Sequence, residues 1–144
     1  MKKRRTPLSD QDQSVWWDEI KVLASSKIAG IILDDGCRMQ IESEYAQIQK
    51  TVYWANSYKV GEFIPKHRDS EGDLQLIMPL ILPEKDNGGN LLIYKKDKSE
   101  VVELISGQKF LFDATKTFHE TTKLVSTSLS QNPIRVVCIC RIFF

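Results

Sequence analysis

The chain has 144 residues, enough for one compact domain with its own core and too few for two of ordinary size. Hydrophobic residues make up 42% and charged residues 27%, a globular balance rather than a disordered one. The formal net charge of +1 gives the domain as a whole no reason to seek a polyanion, so no nucleic-acid partner is expected.

The basic run Lys2 to Arg5 is followed by the polar "TPLSDQDQ" and not by an apolar stretch. It therefore reads as a solvated tail, not a signal peptide or membrane anchor. From Ser14, a good N-cap, "SVWWDEIKVLASSKIAG" places Trp17, Ile20, Val22 and Leu23 near one helix face, with Gly30 as the stop. "SEYAQIQKTV" from Ser43 reads as a weaker helical or mixed segment.

After Thr51 the pattern changes to strands. "TVYWANSYKV", "EFIPKHR", "LQLIMPLILP", "NLLIYKKD", "EVVELI", "QKFLFDA", "FHETTKLVS" and "IRVVCICRIFF" form eight short strands separated by polar turns. The fold class is mainly β with N-terminal helices. Sandwich, barrel and jelly roll all fit many short strands, and eight is the number of a jelly roll, the cupin-like double-stranded β-helix. The reading takes 1–50 as mostly helical support and 51–144 as the jelly-roll core of a single domain. Between "EVVELI" and "QKFLFDA" only "SG" marks a turn, which reads as a hairpin.

Three cysteines occur and none forms a C-x-x-C. Cys138 and Cys140 share one face of a strand, in poor register to bridge each other. A reducing, cytoplasmic compartment is the expectation.

The chain has only two histidines, His67 and His119. His67 and Asp69 are separated by one residue, so on a strand they project to the same face while Arg68 points away. Two imidazoles and one carboxylate on one side of an ion make a facial triad that leaves positions open for substrate and dioxygen. Taken alone, His67 reads first as a surface or capping histidine and His119 as a satisfied one at a strand end. Their placement on an early and a late strand of one barrel joins them.

Four stretches together resemble the Fe(II)- and 2-oxoglutarate-dependent dioxygenases, in particular the prolyl-4-hydroxylase-like branch. They are "YKVGEFIPKHRD", "DNGGNLLIY", "GQKFLFDATKTFHE" and "PIRVVCICRIFF", and they span about Tyr53 to Phe144. The resemblance implies that His67, Asp69 and His119 hold iron and that these three are the catalytic centre. It implies that Arg135 grips the far carboxylate of 2-oxoglutarate, a role suited to a guanidinium fork, and that Tyr58 offers its hydroxyl to a cosubstrate carboxylate. Fe(II), 2-oxoglutarate and dioxygen are the implied cofactor and cosubstrates. The implied activity is hydroxylation of an unactivated C–H bond with decarboxylation of 2-oxoglutarate to succinate.

Arg135 follows His119 by a longer gap than the family's usual one, with "STSLSQNP" inserted as a loop, so Arg141 on the same strand parity is the reserve candidate. The strand "LQLIMPLILP" has no Tyr, Ser or Thr to serve as a second hydroxyl partner. Basic residues near the ligands (Lys66, Arg68, Lys123, Arg141) read as a solvated face. A small-molecule substrate such as an amino acid is expected. A cupin-like isomerase or lyase, a non-catalytic jelly-roll binding protein and a zinc-bearing His2Asp site are the competing readings, the last lacking an evident general base.

Overall fold

The computed structural model describes residues 29–144. The helix expected from Ser14, with Trp17, Ile20, Val22 and Leu23, lies outside these residues. Gly30 is not a stop, because it sits within a helical turn, α1, at Ala29–Ile32. The next helix also comes earlier than the sequence pattern suggests: α2 spans Asp35–Glu44, and the segment after it runs extended into the first strand. Asp34 explains the placement, since its carboxylate accepts from the Cys37 backbone N–H at 2.8 Å and so satisfies a donor of the first turn. Only Ile41 of this helix is buried, which is why its hydrophobic periodicity was faint. No helix of the described residues is long and apolar enough to cross a membrane.

Eight strands follow: β1 Lys50–Tyr58, β2 Ile64–His67, β3 Leu74–Ile81, β4 Leu91–Lys95, β5 Lys98–Val102, β6 Phe110–Phe112, β7 Phe118–Thr121 and β8 Arg135–Phe143. They form two antiparallel four-stranded sheets, ordered β1-β8-β3-β6 and β2-β7-β4-β5. Successive strands alternate between the sheets over much of the chain, as a double-stranded β-helix requires. The segment between β5 and β6 is therefore not a hairpin. It carries the chain from the edge of one sheet to the edge of the other, turning where Gln108 donates to the Ile105 carbonyl at 2.9 Å.

β8 shows how the molecule is layered. All eight residues from Arg135 to Ile142 are buried, because this central strand is covered on both faces. Its even positions (Val136, Cys138, Cys140, Ile142) join Ile32, Leu33 and Ile41 in a core beneath the helices. Val137 and Ile139 point the other way and pack with Trp54, Tyr58 and Ile77 between the sheets. Cys138 and Cys140 are free thiols on that helix-side face, and burial pushes them up to about 11 and about 12.

The Gly-Gly turn before β4 has a steric reason. A Cβ on Gly88 would lie 2.2 Å from the Lys123 carbonyl oxygen, and both Gly88 and Gly89 have positive φ, a conformation that glycine alone adopts at little cost. The loop between β7 and β8 is ordered by Asn87, whose fully buried side chain donates to the carbonyls of Val125 and Ser130.

Candidate metal and cosubstrate site

The inner face of the first sheet reads as a ladder of rungs. The register places Val52, Arg141 and Gln75 side by side at one end, and Tyr58 beside Arg135 at the other. Facing it, the second sheet pairs His67 directly with His119. A direct antiparallel pair brings side chains together, and the two imidazole centroids are 4.3 Å apart.

Asp69 completes the cluster from just beyond β2, its own N–H donating to the Ala114 carbonyl at 2.8 Å. Its Oδ1 lies 3.2 Å from His67 Nε2 and 3.5 Å from His119 Nε2. One ligand atom from each of the three residues falls within 4.8 Å of the others. The structure thus gathers the His67, Asp69 and His119 singled out in the sequence. Arg68 turns outward, as strand alternation requires, and rests over the Phe118 ring.

The protonation pattern follows from the backbone. His67 Nδ1 lies 2.7 Å from the Pro65 carbonyl oxygen, and His119 Nδ1 lies 2.8 Å from that of Thr117. A carbonyl can only accept, so each Nδ1 carries a proton and each Nε2 is the ring nitrogen turned toward Asp69. Two ring nitrogens and a carboxylate oxygen then converge, and His67 Nε2, itself buried, has no hydrogen-bond partner. A cation placed between these three atoms would meet all of them. Backbone carbonyls holding the distal ring nitrogen are the usual outer support of a metal-bound histidine. The donor set suits a divalent ion with open positions, Fe(II) among them.

The far end of the same cavity is electrostatically different. Arg135 is 1% exposed, and its guanidinium carbon lies 4.9 Å from the Tyr58 ring centre. Burial pushes its pKa down, while the neighbouring Tyr58 hydroxyl, hydrogen-bonded to it, holds it up. Its Nε and Nη1 have no hydrogen-bond partner. A buried guanidinium with spare donors is costly, and its charge suits an anion. Gly89 leaves room for the arginine stem, since a Cβ there would come within 3.3 Å of Arg135 Cδ.

Between the two ends the cavity encloses about 30 Å³ and is lined by both histidines, Tyr58, Arg135, Asn56, Gln75 and Thr121, among apolar neighbours. That is room for a water molecule.

Arg141 is not the reserve clamp. It is 2% exposed, donates from Nη2 to Asp69 Oδ2 at 2.7 Å and from Nη1 to Glu71 Oε1 at 3.2 Å, and lies over Trp54. Nor does it belong to a solvated face, unlike Lys66, Arg68 and Lys123, which are exposed and rest over the rings of Tyr94, Phe118 and Phe63. Sequence reasoning missed Asn56, Gln75 and Thr121. Strand parity offered a signal for Asn56, two residues before Tyr58, and for Gln75, the lone polar residue of "LQLIMPLI". Thr121 likewise stands two residues after His119.

No protein-family model matches this chain, and no curated protein matches its sequence. Solved structures do match. A prolyl-4-hydroxylase from Pseudomonas putida superposes with a TM-score of 0.60 at 19% identity, over 76% of this chain and 60% of that one. An oxidoreductase of the 2OG-Fe(II) oxygenase family from Burkholderia pseudomallei gives 0.62 at 12% identity, over 83% of this chain and 57% of that one. The fold is that of the 2-oxoglutarate/Fe(II) oxygenases. The viral collagen prolyl hydroxylase of Paramecium Bursaria Chlorella virus-1, in its 2OG complex, agrees at 0.56 and 15% identity over 98% of this chain and 78% of that one. This chain spans 60% and 57% of the length of the first two oxygenase-fold structures. The double-stranded β-helix, and the prolyl-4-hydroxylase-like form of it, are as the sequence motifs implied.

Proposed function

We propose that the protein is an Fe(II)- and 2-oxoglutarate-dependent dioxygenase that hydroxylates an unactivated C–H bond of a small molecule, an amino acid or a derivative of one. One observation carries the reading: a single cavity is lined by the two histidines of a His-Asp-His cluster and by a buried guanidinium whose Nε and Nη1 have no hydrogen-bond partner. Buried polar groups of this kind are costly without a partner. A cupin-like isomerase or lyase has no use for the buried Arg135, and a zinc hydrolase needs a general base beside the ion.

His67, Asp69 and His119 would hold the iron, two neutral nitrogens and one carboxylate on one side of it. Bound Fe(II) supplies the oxidising chemistry, coupling decarboxylation of 2-oxoglutarate by dioxygen to insertion of one oxygen atom into the substrate, with succinate and carbon dioxide as co-products. Arg135 takes the cosubstrate's distal carboxylate through a two-donor fork, with the Tyr58 hydroxyl beside it. The carbonyls of Pro65 and Thr117 keep both imidazoles in the tautomer that binds metal. Ile77, Ile139, Val137 and Leu91 keep the space between the two ends apolar, which excludes water from a reactive site and strengthens the charge contacts inside it.

The test is succinate formation by purified protein given Fe(II), 2-oxoglutarate, air and each free amino acid in turn. Succinate above the substrate-free background with one of them, and none in His119→Ala, is the expected result. Background-level succinate across the whole set contradicts the amino-acid class, and no succinate under any condition contradicts the dioxygenase itself.

A further inference from the structure

We propose that Arg141 is a positioning residue that limits Asp69 to one-oxygen ligation and so keeps a coordination position free for the cosubstrate; this rests on the metal-site reading above. A carboxylate can bind an ion through one oxygen or both, and the second mode uses a position the cosubstrate needs. Here Oδ2 is engaged by Arg141 Nη2 at 2.7 Å, while Oδ1 is the atom that faces both imidazoles. The carboxylate is therefore divided, one oxygen for the arginine and one for the ion.

The local sequence is arranged around this contact. Glu71 takes the other arm of the fork at 3.2 Å, and Trp54 lies against the guanidinium, 4.7 Å from ring centre to carbon. Gly72, with φ of +88°, leaves the passage through which the arginine stem reaches Asp69: a Cβ there would lie 2.6 Å from Arg141 Cγ and 2.7 Å from Cδ. Three residues of the turn after β2 thus serve one side chain from β8. A solvated arginine would need none of this, and a cosubstrate clamp would keep its donors free, as Arg135 does. The shape of the group matters as well as its charge, because a lysine ammonium has no planar fork to span Asp69 and Glu71.

Co(II) is the probe, since its visible absorption reports how many ligands surround it, and neither catalysis nor a known substrate is required. Arg141→Lys keeps the charge, and Gly72→Ala displaces the stem while leaving every charge in place. Circular dichroism establishes that each variant is folded. Both should bind Co(II) about 10–100-fold more weakly than wild type, with an altered spectrum and a matching loss of 2-oxoglutarate affinity. Millimolar methylguanidinium should restore part of the Co(II) affinity to Arg141→Ala. Folded variants with wild-type Co(II) affinity and spectrum overturn the proposal while leaving the dioxygenase reading intact. Wild type that binds Co(II) with variant-sensitive affinity but never takes up 2-oxoglutarate does the reverse. Wild type that binds no Co(II) overturns both.

Discussion

Two arginines six residues apart on the same face of β8 are both nearly fully buried, yet they are treated in opposite ways. Arg141 gives its fork to two carboxylates. Arg135 keeps Nε and Nη1 without a partner. The difference separates two uses of a buried charge. A paired arginine in a dry interior shapes what it is bonded to, whereas one with spare donors can still take up an incoming anion.

The contrast predicts opposite signs for the same substitution. Arg141→Met leaves Asp69 buried without its cation and should destabilise the protein by about 3–5 kcal/mol, read from the denaturation midpoint. The next largest effect belongs to the cosubstrate. In the presence of a divalent metal, 2-oxoglutarate at one hundred times its dissociation constant should stabilise wild type by about 2.7 kcal/mol. In Arg135→Met that gain should vanish. Without any ligand, Arg135→Met should be more stable than wild type by about 1–3 kcal/mol, because it removes unsatisfied donors from an apolar space. A loss of stability there would mean that the Tyr58 contact outweighs the donors left without a partner. Smallest is Glu71→Gln: its carboxylate is half exposed where it meets the Arg141 fork, and a barely measurable drop in melting temperature is expected.

The strands were legible in the sequence because short apolar or β-branched runs stand between turn residues, and all eight appear where the pattern put them. The helices were not. Asp35–Glu44 buries a single residue, so a search for an apolar stripe passes over it, and Asp34 as its cap was the better signal. The β5–β6 segment was misread because a short polar turn looks alike whether it joins neighbouring strands or carries the chain between sheets. At the site, His67, Asp69 and His119 were readable from residue scarcity and spacing, and Arg135 from the motif that opens the last strand. The job of Arg141 was hidden, since its partners Asp69 and Glu71 lie 72 and 70 residues away. Sequence parity placed it on the right face and could not say what waited there. Gln75 and Asn56 were passed over for a related reason: a lone polar residue in an apolar strand stands out only once the facing sheet is known.

The central claim is that one cavity binds a metal at one end and the far carboxylate of 2-oxoglutarate at the other. Adding 2-oxoglutarate to the Fe(II) protein without air tests it most directly, through the visible charge-transfer absorption of the chelate. The band should appear in wild type, be lost in His119→Ala for want of metal, and in Arg135→Ala require far higher 2-oxoglutarate. A wild-type protein that binds Fe(II) and gives no band, or an Arg135→Ala variant that gives it at wild-type concentration, would contradict the account.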